Sequence, residues 1–103
     1  MTRTLVIDGH PDAGSLTAAL AQQYVLGAGD TAVALTLRDL DIDIDPVLRG
    51  GYRKDQLVEP DLARARELIE WSEHITVLTP VWWGSVPALL KGFLDRALII
   101  EWA

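Results

Sequence analysis

Two stretches of this sequence carry side chains whose types and spacing could do chemistry. The first is Pro80-Val81-Trp82-Trp83-Gly84, two adjacent tryptophans followed by a glycine. Side chains of neighbouring residues on an extended backbone project to opposite sides. One tryptophan can therefore pack inward while the other lines a cleft and offers its face to a flat ring. Gly84 would let a ligand approach the backbone closely. The second is Gly9-His10-Pro11-Asp12-Ala13-Gly14-Ser15, a polar loop ending in a good helix cap. Unpaired N–H groups in the first turn of a helix, aided by the macrodipole, hold phosphate. The loop is neither a Walker A sequence nor G-x-G-x-x-G. Taken alone, Ser15 is a cap, His10 is a loop histidine, and a tryptophan after a strand is more often core than ligand contact.

The elements around these stretches read as alternating strands and helices. Thr4–Asp8 is a β-branched and aliphatic run of the kind found in a central parallel strand. Ser15 to Leu26 reads as a helix with Gly27 just past its end, and Leu16, Ala18, Ala19, Leu20 and Tyr24 as its buried stripe. Thr31–Leu37 reads as a second strand, giving a parallel βαβ unit. Pro60 and the acids beside it open a helix that runs to about Trp71–Glu73, with Leu62, Ala65, Leu68, Ile69 and Ser72 inward. His74–Thr79 reads as a buried strand stopped by Pro80. Pro87 opens a third helix to about Leu98, with Leu89, Leu90, Phe93, Leu94 and Ala97 apolar and Lys91, Asp95 and Arg96 on a solvated face. Gly92 inside it weakens the helix by about 1 kcal/mol relative to alanine and needs a packing reason. The order strand, aromatic loop, helix puts the tryptophans at the carboxyl end of a strand, where open α/β sheets bind ligands.

The connections are less informative. Leu40–Pro46 alternates acidic and apolar residues, but a calcium loop started at Asp41 would place Pro46 where glycine is required and Tyr52 where glutamate is required. An extended surface segment is the better reading. Val47–Val58 is loop-like and holds a basic cluster, Arg49, Arg53 and Lys54.

Composition narrows the function. A net charge of −6 argues against a nucleic-acid partner. With no cysteine, disulfides, thiolate catalysis and cysteine-based zinc sites are excluded. No apolar run is long enough to span a membrane, and no signal-peptide pattern opens the chain, so a cytoplasmic location is expected. The length of 103 residues suits one small domain.

Two segments coincide with a known pattern. Val6–Leu20, containing G-H-P-D-x-x-S-L, and Thr79–Arg96, containing P-x-W-W-x-x-x-P-A-x-L-K-G-x-x-D-R, resemble the NAD(P)H:quinone oxidoreductases of the flavodoxin-like fold. That group includes drug-activity modulator proteins and potassium-efflux ancillary proteins. The resemblance implies an α/β three-layer sandwich with a parallel sheet, of which this chain supplies the 2-1-3 strand portion and three helices. It further implies a single domain over residues 1–103 that is incomplete at its C-terminus. An unprotected third-strand edge would then invite pairing.

By the same likeness, the chain would bind FAD or FMN and move two electrons from NAD(P)H to a quinone or nitro acceptor as a homodimer. His10, Ser15, Leu16 and Thr17 would hold the phosphates and chain of the flavin, and Pro80, Val81, Trp82, Trp83 and Gly84 its ring. Thr17 departs from the asparagine common at that position, which weakens that contact. No residue stands out as a general acid or base; hydride transfer depends chiefly on stacking geometry. A non-catalytic binding module and an inactive fragment are the alternatives.

Overall fold

The computed structural model describes residues 2–42 and 58–98. The basic cluster of Val47–Val58, the segment Asp43–Pro46 and the terminal Ile99–Ala103 lie outside the described residues, apart from Val58. In chain order the elements are β1 (Thr4–Asp8), α1 (Leu16–Ala28), β2 (Ala32–Thr36), a 3-10 turn (Leu37–Asp39), α2 (Pro60–Trp71), β3 (His74–Leu78) and α3 (Ala88–Ala97). The three strands form one parallel sheet in the order β2-β1-β3. β1 is central, as its composition predicts, and all five of its residues are buried.

Alternation along β1 divides the molecule into two layers around the sheet. Leu5 and Ile7 face α2 and α3, where they join Leu35, Leu37, Leu62, Leu90 and Phe93 in the main core. Val6 and Asp8 face α1. On that side Ala18 and Ala21 are the only buried residues of the helix. The expected stripe is thus displaced: Leu16 is 75% exposed, Leu20 and Tyr24 are at least two-fifths exposed, and Ala19 is also exposed. The reason is geometric. The small side chains face β1 and β2 and let the helix approach, while Tyr24 reaches β3, where its hydroxyl accepts a hydrogen bond from Thr76 Oγ1 at 3.0 Å. The helix also continues past Gly27. It stops at Gly29, whose φ of 85° breaks the repeat while its N–H donates to the Val25 carbonyl.

β3 pairs with β1 on one side only among the described residues. Its apolar side chains are therefore not buried as the sequence suggests, and Ile75 and Val77 are each 42% exposed. No helix among the described residues is long and apolar enough to cross a membrane.

The third helix carries a second correction. Lys91 and Asp95 form the expected exposed pair, 2.6 Å apart. Arg96 instead turns inward and is buried. Its Nη1 donates to Glu59 Oε2 at 2.7 Å and its Nη2 donates to Oε1, a two-pronged contact that ties α3 to the start of α2. Arg66 Nη2 donates to the Arg96 carbonyl at 2.6 Å. Burial, and then the charge of Arg96, push the Arg66 guanidinium below its ordinary pKa.

Gly92 is buried within α3. Gly9 is held to glycine by close packing: a Cβ there would lie 3.0 Å from Leu90 Cδ2 and 3.4 Å from the Leu78 carbonyl oxygen. The end of β1 thus sits directly on α3.

Removing one partner of a buried ion pair strands the other. Arg96→Met is expected to lower unfolding free energy by about 3 kcal/mol, whereas Lys91→Met, at an exposed pair, should cost less than about 0.5 kcal/mol. Urea denaturation of the two variants checks the contrast.

Candidate functional site

The loops after β1 and β3 emerge side by side, because parallel strands put their carboxyl ends at the same edge of the sheet. Gly9 N–H donates to the Leu78 carbonyl at 2.9 Å and carries the β1–β3 ladder one step into the loops.

The first loop is built on its own hydrogen bonds. Asp8 Oδ1 accepts from the His10 N–H at 3.1 Å, His10 Nδ1 from the Asp12 N–H at 2.9 Å, and Asp12 Oδ1 from the Gly14 N–H at 2.9 Å. An Nδ1 that accepts must be bare, so the proton of the neutral ring is on Nε2. Ser15 then caps α1: its Oγ accepts from the Ala18 N–H at 3.1 Å. The N–H groups of Leu16 and Thr17 are left without a protein partner among the described residues.

The second loop is a tight hairpin. Trp82 and Ser85 exchange both backbone hydrogen bonds, each 3.0 Å long. The two residues between them, Trp83 and Gly84, have φ of 53° and 72°. Two successive positive φ values suit a two-residue hairpin turn. Glycine adopts them freely, but a tryptophan there is strained, and such strain gathers at functional sites. Trp83 gains nothing from burial in return: it is 103% exposed. Trp82 is 44% exposed and forms a T-shaped pair with the His10 ring at a centroid distance of 5.3 Å with planes 83° apart. Neither tryptophan packs inward, contrary to the expectation for one of them, because the turn swings both away from the core.

The sequence-predicted residues thus fall into two groups. His10 and Trp82 touch. Ser15, Leu16 and Thr17 form the helix start behind His10, and Pro80, Val81, Trp83 and Gly84 form the hairpin; Pro80 is half-buried and Val81 is exposed. Two residues were missed. Asp8, buried at the end of β1, is paired with Arg38 at 2.8 Å, and the same Arg38 Nη1 donates to the His10 carbonyl at 3.0 Å. An acid closing an otherwise apolar strand was the available signal, since a buried carboxylate requires a partner.

A family model described as flavodoxin-like fold matches residues 2–103. The chain belongs to the flavodoxin-like fold family. Within that family it is 29% identical over 99 residues to a Haemophilus influenzae protein named as an uncharacterized NAD(P)H oxidoreductase, a match covering 91% of this chain and 49% of that protein. Among solved structures it is similar to a protein described as a putative quinone reductase from Klebsiella pneumoniae, with a TM-score of 0.69, 25% identity, and coverage of 94% of this chain and 45% of the other. It is also similar to an NADH:FMN oxidoreductase in its apo form, with a TM-score of 0.66, 30% identity, and coverage of 93% and 50%. The flavodoxin-like chain therefore spans about half the length of the relatives it matches.

If the hairpin stores strain at Trp83, relieving it should stabilise the fold. Asparagine tolerates the left-handed region, so Trp83→Asn is expected to raise unfolding free energy by roughly 0.5–1 kcal/mol. Thermal melts of the two chains would show it as an upward shift of a few degrees.

Proposed function

We propose that this chain supplies a flavin site to an NAD(P)H oxidoreductase that passes two electrons to quinones or nitro compounds. The observation that carries the reading is the contact of His10 with Trp82, which joins the helix start after β1 to the aromatic hairpin after β3. The residues present fit the group. Leu16 and Thr17 offer free N–H donors at a helix N-terminus, as a phosphate needs. Trp82 and Trp83 offer aromatic surface for a ring system, and Pro80, Val81 and Gly84 offer backbone around it. Bound there, FAD or FMN would supply the hydride relay between nicotinamide and acceptor.

The chain's own part is to bind and orient. Ser15 fixes the first turn so that the two N–H groups stay together. His10 holds Trp82 by an edge contact, and its Nδ1 is occupied by the Asp12 N–H, so it works as a strut. The strained turn keeps Trp83 displayed toward solvent, available for stacking. The names of the relatives support the reductase class, and the NADH:FMN oxidoreductase supports a flavin.

The open edge of β3 supports a domain whose sheet continues beyond it, with residues 1–103 as one part. A cytoplasmic homodimer belongs to the same reading.

Flavin retention tests it. The purified chain is mixed with FAD or FMN, freed of excess, and its visible absorption and flavin fluorescence are recorded. One flavin should stay bound with quenched fluorescence, and Trp82→Ala should bind it about tenfold more weakly, the scale of a lost aromatic contact. Retention of neither flavin would remove the reading for this chain.

A further inference from the structure

A cavity adjoins the first loop through Asp8 and Arg38, which line it and both bond to His10. It is a cleft of about 340 Å³ between α1 and the β2 side of the sheet, and no residue of the loops 9–15 or 79–86 lines it. That volume lies at the lower end of small-molecule sites. Ala18, Ala21, Val25 and Leu26 of α1 and Val6 and Ala34 of the sheet form the apolar lining of the cleft. Ala34 is exposed although it lies on the helix-covered face.

The polar groups of the cleft gather at the carboxyl end of the strands. Arg38 uses Nη1 for both of its protein contacts, Asp8 Oδ2 and the His10 carbonyl. Nε and Nη2 have no protein hydrogen-bond partner among the described residues, and the two contacts on Nη1 hold the guanidinium in place. The Thr36 hydroxyl and the Gln22 amide, which also line the cleft, are likewise without side-chain partners there. A guanidinium with its Nε–Nη2 fork unengaged matches one carboxylate in a two-pronged contact.

We infer that this cleft binds a small carboxylate with an aromatic or branched apolar body. The body lies against Val6, Ala18, Ala21 and Ala34, and the carboxylate accepts from Nε and Nη2 of Arg38. Asp8 already balances the charge of Arg38, so affinity comes from the hydrogen-bonded fork together with the buried body. Dissociation constants of about 0.1–1 mM are expected for a simple probe. The inference does not depend on flavin binding, and its test contains no flavin.

The test is an amide NMR titration of the full chain with phenylacetate, with phenylacetamide as the uncharged counterpart. Saturable shifts are expected at Ala18, Ala21, Ala34 and His10, the last because Arg38 also holds its carbonyl. Phenylacetamide should bind about tenfold more weakly, equivalent to about 1.4 kcal/mol. Ala34→Leu fills the cleft from an exposed strand position and should abolish the shifts. Gln22→Glu, at an exposed helix position that glutamate suits, places a repelling charge at the cleft and should weaken phenylacetate about tenfold even if the leucine variant folds poorly. Absence of saturable shifts at these amides, equal binding of the amide, or unaltered binding to Gln22→Glu would overturn the inference.

Discussion

A carboxylate buried at the end of the central strand has to be paired, and much of the site follows from how Asp8 is paired. One oxygen takes the Arg38 guanidinium and the other takes the His10 N–H. Arg38 closes the arrangement on the His10 carbonyl. An unpaired charge there would cost several kcal/mol, so the backbone of the first loop is fixed as it leaves the sheet. His10 then positions Trp82 from one side and Asp12 from the other. The route from a strand end to an aromatic loop is thus a chain of specific contacts, each satisfying a group that the previous one leaves.

The hairpin after β3 works by the opposite principle. Its turn holds a bulky residue in a backbone region that disfavours one, and the side chain so displayed has no burial to offset the strain. Glycine at this position would make an easier turn and present nothing. The arrangement is intelligible when the aromatic face itself has a use, and two free N–H donors lie across the same edge of the sheet at the start of α1.

The two faces of the sheet are packed to different standards. On one, Leu5, Ile7, Leu62, Leu90 and Phe93 are fully or almost fully buried. The buried Arg96–Glu59 pair ties α2 to α3 beside them. On the other, α1 touches the sheet through alanines and leaves its leucines exposed. Stability therefore resides on the α2–α3 side, while the α1 side and the β3 edge keep apolar surface and space that can accept other groups.

The sequence by itself determined the order of elements, the central place of β1, the helix starts at Ser15 and Pro60, and the two loops that form the candidate site. These are local properties: β-branched runs, caps and turn residues act within a few positions of themselves. What only the tertiary structure decided is long-range. Arg38 lies 30 residues from Asp8, and Arg96 lies 37 from Glu59. Periodicity therefore assigned Arg96 to solvent when α2 in fact approaches it. The buried stripe of α1 was misplaced for the same reason, since which apolar face of a helix is covered depends on where the sheet lies beneath it. The left-handed backbone at Trp83 and the cleft between α1 and the sheet have no local signature either. Both arise where separate segments meet, and a one-dimensional pattern carries no record of that distance.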